Sequence, residues 1–234
     1  MINEIPEHKS ANARQDICRQ HLDSAEEWLR KFVHFKLMVH GGENYITSGT
    51  WKKTFIDAVA RKIAGDPGKF KREVDATTLE QLIDLVCHPN SWSVLSCGLA
   101  SAYPNGREEA RTFLERLKEI RNDFSHGRQC SARQLERAIC YGNDIADSIK
   151  EYFRVENLSK EFNVPTFVAY TDNIGNTERL NAGDYYRVAN LSMLHHKRLY
   201  PGNLLVAEVE VDPSFDDDSY EVEWRLKTSP GGNG

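Results

Sequence analysis

The sequence predicts an α+β protein, with an all-α helical bundle over residues 1–157 and a small antiparallel β-rich module over residues 158–234. Three observations carry this prediction. Up to about residue 155, apolar residues recur at a spacing of three and four, the signature of helices with one buried face. Beyond it the pattern changes to short β-rich runs, the last two of which alternate apolar and acidic residues. Loops of bundle length, marked by Gly, Pro and Asn, punctuate the helical part.

The elements follow in order. Residues 22–40 place Leu22, Ala25, Leu29, Phe32, Val33 and Lys36 on one helical stripe, stopped by Gly41-Gly42. A second helix, 51–64, carries Phe55, Ile56, Val59, Ala60 and Ile63 and breaks at GDPG. Thr77 with Glu80 forms a capping box, opening a helix through Leu79, Leu82, Ile83 and Val86 that ends before Pro89. A short helix over 91–102 closes at YPNG, and residues 107–126 align Ala110, Phe113, Leu114, Leu117, Ile120 and Phe124. Ser131 with Gln134 caps a long helix that carries Leu135, Ala138, Ile139, Gly142, Ile145, Ile149 and Phe153. Four strands are then expected, at 164–170, 184–191, 203–211 and 220–226. They suffice for a small sheet or part of a β-sandwich. Ala207, Val209 and Val211 oppose Glu208, Glu210 and Asp212, so one face is acidic and solvent-facing, and DPSFDDDS joins the last two strands as a long hairpin loop.

Composition narrows the functional classes. The chain has 234 residues, is 40% hydrophobic and 28% charged, and has a net charge of −5, as a globular protein does. No apolar run reaches the ~18 residues of a membrane-spanning helix, and no signal-peptide core opens the sequence, so no membrane partner is expected. The cysteines at 18, 87, 97, 130 and 140 are odd in number and without a CxxC, which indicates neither a disulfide framework nor a zinc site; a reducing, cytoplasmic setting is expected. Residues 154–234 hold 8 basic and 13 acidic residues, and the remaining 22 of each cancel. Residues 105–137, with 8 basic against 6 acidic residues, leave room for a locally basic site. His195-His196-Lys197-Arg198 reads as a solvated loop, and Asp216–Asp218 lacks EF-hand spacing. Trp28, Trp51 and Trp92 fall within helical patterns and read as core. Phosphate-loop, hydrolase-elbow and zincin motifs are absent from the sequence.

The stretch RNDFSHG, 121–127, carries the chemistry. Arg121 and His126 are five residues apart, about 140° around a straight helix, but Gly127 is a natural helix terminator that lets His126 leave the helix direction. Asn122 lies four residues before His126, on its face. Arg128 follows in the loop, ahead of a helix N-terminus whose N–H groups suit an anion. Cations in a last helical turn also favour the helix dipole, so the same residues fit a purely structural cap.

LERLKEIRNDFSHG followed by CSARQLERAICYGNDIADSIKEYF resembles the HEPN superfamily of helical-bundle domains, over residues 20–157. The likeness is to members with an RN…H motif that accompany other modules in prokaryotic defence and stress proteins. The resemblance implies Arg121, Asn122 and His126 as catalytic residues; Ser125 and Arg128, beside the motif, are expected to contact substrate. It also implies a metal-independent endoribonuclease without a cofactor, and a homodimer that pairs two motifs. The residue types suit this reaction. An imidazole, titrating near 6.5, can take the 2′-hydroxyl proton or give one to the leaving 5′-oxygen, and a guanidinium can hold two phosphate oxygens. A general acid and a general base require two proton-handling groups, hence two motifs. Single-stranded or loop RNA, such as that in tRNA, is the expected substrate. The other expectation is a non-catalytic module that dimerises, senses nucleotide or RNA, and recruits a protein partner through its acidic β-rich part.

Overall fold

The computed structural model describes residues 10–125, 128–179, 202 and 204–224. Among these are seven helices: α1 (Ala11–Gly41), α2 (Lys53–Gly65), α3 (Leu79–Val86), α4 (Pro89–Leu95), α5 (Arg107–Ser125), α6 (Ala132–Val155) and α7 (Ser159–Phe162). Three strands follow, β1 (Phe167–Asp172), β2 (Thr177–Arg179) and β3 (Ala207–Val211), forming one antiparallel sheet in the order β2-β1-β3. The α+β class and the helical N-terminal part are as the sequence predicts.

α1 is the spine. Its stripe of Leu22, Ala25, Leu29, Phe32 and Val33 is buried and continues on Leu37, while Lys36 lies beside it and donates to the Tyr152 hydroxyl at 3.2 Å. The helix begins eleven residues before the expected Leu22, N-capped by Ser10, whose hydroxyl accepts from the Ala13 N–H at 3.2 Å. α6 packs along α1 on Ala138, Ile145, Ile149 and Phe153. Gly142 lets the two backbones approach, since a Cβ there would lie 3.3 Å from the His21 carbonyl oxygen. α5 returns antiparallel to α6, with Phe113 edge-on to Tyr141 at 4.8 Å.

Several boundaries move. The capping box expected at Thr77 and Glu80 sits at Thr78 and Gln81 instead, because the Thr77 hydroxyl is taken by Arg30 and by the Val74 carbonyl. The helix expected over 91–102 is α4 followed by a 3-10 turn at Ser96–Gly98. The Ser131–Gln134 box caps α6 as read. Trp28 is fully buried, whereas Trp51 and Trp92 are half-buried against the core.

The sheet differs more. β3 lies within the expected 203–211, and β1 overlaps the expected 164–170 but starts at Phe167 and runs on to Asp172. β2 has no counterpart among the expected strands, and the strand expected at 184–191 falls outside the described residues. Residues 220–224 of the expected last strand are not a strand, so the hairpin through DPSFDDDS does not form; β3 pairs with β1 instead. Glu208 and Glu210 are exposed as predicted, but Asp212 is buried. Its carboxylate accepts from the Ser24 hydroxyl at 2.5 Å and from the Ser214 N–H at 3.0 Å. The following loop lies on the bundle. Trp28 Nε1 donates to Ser214 Oγ at 2.8 Å, and the Lys150 ammonium sits 3.9 Å over the Phe215 ring while donating to the Ser214 carbonyl. Gln20 donates to Glu210 at 2.9 Å.

Asp212→Ala is expected to strand a buried hydroxyl and a loop N–H, costing about 2 kcal/mol. Limited proteolysis should then cut faster within 158–224 while the helical circular-dichroism signal holds. Unchanged proteolysis would mean that other contacts fasten the loop.

Candidate functional site

The residues expected to act together occupy the end of α5 and the turn into α6. Arg121, one turn before the end of α5, points toward α1, where its guanidinium pairs with Glu26. The same carboxylate accepts from Arg30 Nη2 at 2.6 Å, so Glu26 bridges two arginines. Arg30 is buried and also donates to Thr77 Oγ1 at 2.9 Å and to the Thr77 carbonyl at 3.0 Å. Arg30 is therefore fixed, and through Glu26 it fixes Arg121, whose side chain remains 39% exposed. This is a guanidinium held in place yet open to solvent.

Asn122, the next residue, is exposed on α5. Asp123 faces α6 instead, accepting from Gln134 Nε2 at 2.8 Å and from Arg128 Nη1 at 2.7 Å, while the Arg128 N–H donates to the Asp123 carbonyl at 3.0 Å. Asp123 thus fastens the chain that leaves α5 to the start of α6. Arg128, expected to contact substrate, is paired with this carboxylate and is 71% exposed. Arg121 and Arg128 therefore engage carboxylates on different sides of α5. His126, Gly127 and the Ser125 side chain lie outside the described residues. At the N-terminus of α6, the Gln134 N–H, one of the groups expected to suit an anion, is bound by Ser131 Oγ at 3.2 Å.

Residues that the motif reading missed lie on α1 and on the sheet. Asp23, one turn before Glu26, is half-exposed, and Arg179 at the end of β2 approaches it to 3.7 Å. Crowding by the protein pushes the Asp23 carboxyl above its usual range, opposed by the positive charges of Arg121, Arg179 and Arg19. His21 is half-buried and bonded to Asn143; burial lowers its pKa, against the opposing pull of Asp212. Cys18 and Cys130 are buried against one another where the α5–α6 connection meets α1, and burial raises both thiol pKa values. The Arg19–Asp23 and Glu26–Arg30 pairs are visible in the sequence as opposite charges four apart.

Among the described residues, no group of three or more His, Cys, Asp or Glu side chains is arranged to hold a metal, and no helix is long and apolar enough to cross a membrane. Comparison with protein-family models, with curated proteins and with solved structures gives no match for this chain.

Proposed function

We propose that the chain is a HEPN-type, metal-independent endoribonuclease that cuts single-stranded or loop RNA through paired Arg121–His126 motifs at a homodimer interface, in a defence or stress response. The observation that carries this reading is the Arg121 guanidinium, oriented by the Glu26–Arg30 pair but 39% exposed at the end of α5. A positioned, solvent-open guanidinium can take the non-bridging oxygens of a phosphate without first losing rotamer freedom. Asn122 is exposed beside it, where it can orient an imidazole or contact the ribose. His126 supplies the proton transfer: one copy takes the 2′-hydroxyl proton, and the copy across the dimer gives one to the departing 5′-oxygen. The products are a 2′,3′-cyclic phosphate and a 5′-hydroxyl.

The direct test is incubation of the purified dimer with tRNA in excess EDTA, with end analysis of any fragments. Fragments ending in 2′,3′-cyclic phosphate are expected. Intact tRNA, or fragments with 3′-hydroxyl ends, would overturn the reading.

A second reading has one observation in its favour. Arg121 and Arg128 both lie in intramolecular ion pairs, as they would in an RNA- or nucleotide-sensing dimer that recruits a protein through the exposed Glu208 and Glu210 of β3. Intact tRNA together with binding of a basic protein surface that Glu208→Lys abolishes would favour this second reading.

A further inference from the structure

We infer that the β-sheet is part of the RNA-binding surface: Arg179 of β2, with Arg19 of α1, forms a backbone-phosphate contact that continues from Arg121. The inference rests on the nuclease reading for its ligand and extends it to residues outside the motif.

The juxtaposition is built by three separate elements. Arg19, Asp23 and Glu26 succeed one another at spacings of four and three, on one face of α1. Glu26 holds Arg121 from α5, and Asp23 lies 3.7 Å from Arg179 of β2. Arg19, Arg121 and Arg179, with the buried Arg30 behind Glu26, therefore surround two carboxylates on a chain whose net charge is −5. Arg179 and Asp23 are each about half-exposed, at 51% and 50%, and 3.7 Å exceeds hydrogen-bonding distance. Such a pair is weak and solvent-screened, so a phosphate can displace the carboxylate. Asp23 occupies the place that a phosphate takes when RNA binds, and arginine's fork suits either oxyanion.

The sheet holds Arg179 firmly. Arg179 is in register with Ala169 of β1, and the β1–β2 turn is closed by Asp172, which accepts from the Ile174 and Asn176 N–H groups at 3.1 and 2.9 Å. Gly175 takes the left-handed φ of 88° that this turn requires. β3 and the loop after it dock the sheet on the same helix through Gln20–Glu210 and Ser24–Asp212. The docking residues Gln20 and Ser24 thus alternate along α1 with Arg19 and Asp23, so the sheet that carries Arg179 is fastened to the same stretch of helix.

The test measures fluorescence anisotropy of a short single-stranded 2′-O-methyl RNA, uncleavable because its nucleophile is blocked, bound to the full chain from ~50 to ~200 mM salt. Arg19→Ala and Arg179→Ala should each weaken binding about 3- to 10-fold and reduce the slope of log affinity against log salt by about 0.7, the loss of one phosphate contact. Asp23→Asn should tighten binding about threefold by removing the competing charge. Arg154→Ala, at the far end of α6 and paired with Glu151, should bind like the parent. Equal melting temperatures for these surface variants exclude misfolding. Affinities of the Arg19 and Arg179 variants within twofold of the parent, or no RNA binding by the parent, would overturn the inference. If the variants lose affinity while the parent leaves tRNA intact in EDTA, the binding surface stands and the nuclease reading falls. If tRNA is cut but these variants bind normally, the reverse holds.

Discussion

His126→Ala abolishes EDTA-resistant cleavage, and Arg121→Ala lowers it by about a hundred- to a thousandfold, if the two residues act as proposed. The two losses have different causes and are separable. Without the imidazole no group moves the 2′-hydroxyl proton, so RNA should still bind while turnover stops. Without the guanidinium the phosphate loses charge stabilisation, so both binding and turnover fall. Arg121→Lys keeps the charge but loses the two-pronged geometry and should recover only part of the activity. The structure also predicts that Arg121→Ala folds normally. Glu26 keeps its 2.6 Å bond to Arg30, so its carboxylate is not left uncompensated, and the melting temperature should move little. Glu26→Gln is the complementary variant. It weakens the clamp on Arg121 and should raise KM more than it lowers kcat. Undiminished cleavage by His126→Ala removes the imidazole from the reaction, and a large drop in melting temperature for Arg121→Ala makes that residue structural.

The bundle was legible because burial is written into helical spacing. Leu22 through Val33, Ala110 through Ile120 and Leu135 through Phe153 supply the buried stripes that the periodicity marks. The errors fall where a tertiary contact decides between local options. Ala11–His21 has few apolar residues beyond Ile17 and Cys18, so the first turns of α1 carry no stripe to read. Thr77 and Thr78 each have a suitable partner three residues on, and the Arg30 guanidinium, 47 residues away, selects between them by occupying Thr77. β2 is three residues long, too short for a period. Residues 220–224 alternate well, yet Asp212–Phe215, which would have to turn the chain back along β3, are drawn onto α1 and α6 instead. The candidate site divides in the same way. The motif could be picked out at the end of its helix, but nothing local links Arg121 to Glu26, 95 residues earlier. Nor does anything local bring Arg179 to Asp23.

Phe32→Ala is expected to cost about 3–5 kcal/mol and to lower the melting temperature by roughly 10 °C or more. Phe32 is fully buried at the middle of α1, with edge-on contacts to Tyr152 at 5.2 Å and Phe153 at 6.1 Å. Phe153 in turn stacks on Phe162 at 4.6 Å, so the ring joins α1, α6 and α7 in one cluster. Gly98 closes the other side. A Cβ on Gly98 would overlap the Phe32 ring, so that wall is set by the absence of a side chain and cannot collapse readily into the space left by alanine. Gly98→Ala tests the same contact from the opposite direction and should also destabilise, by overpacking. The double variant is diagnostic: a methyl at position 98 can partly fill the cavity at position 32, so the combined loss should be smaller than the sum of the single losses. Strict additivity in thermal melts would mean that the two positions do not share the contact. Because Phe32 lies two turns from Glu26 on the same helix, the melting transition should also carry the Arg121 site with it, and cleavage should disappear at the temperature where the helices unfold.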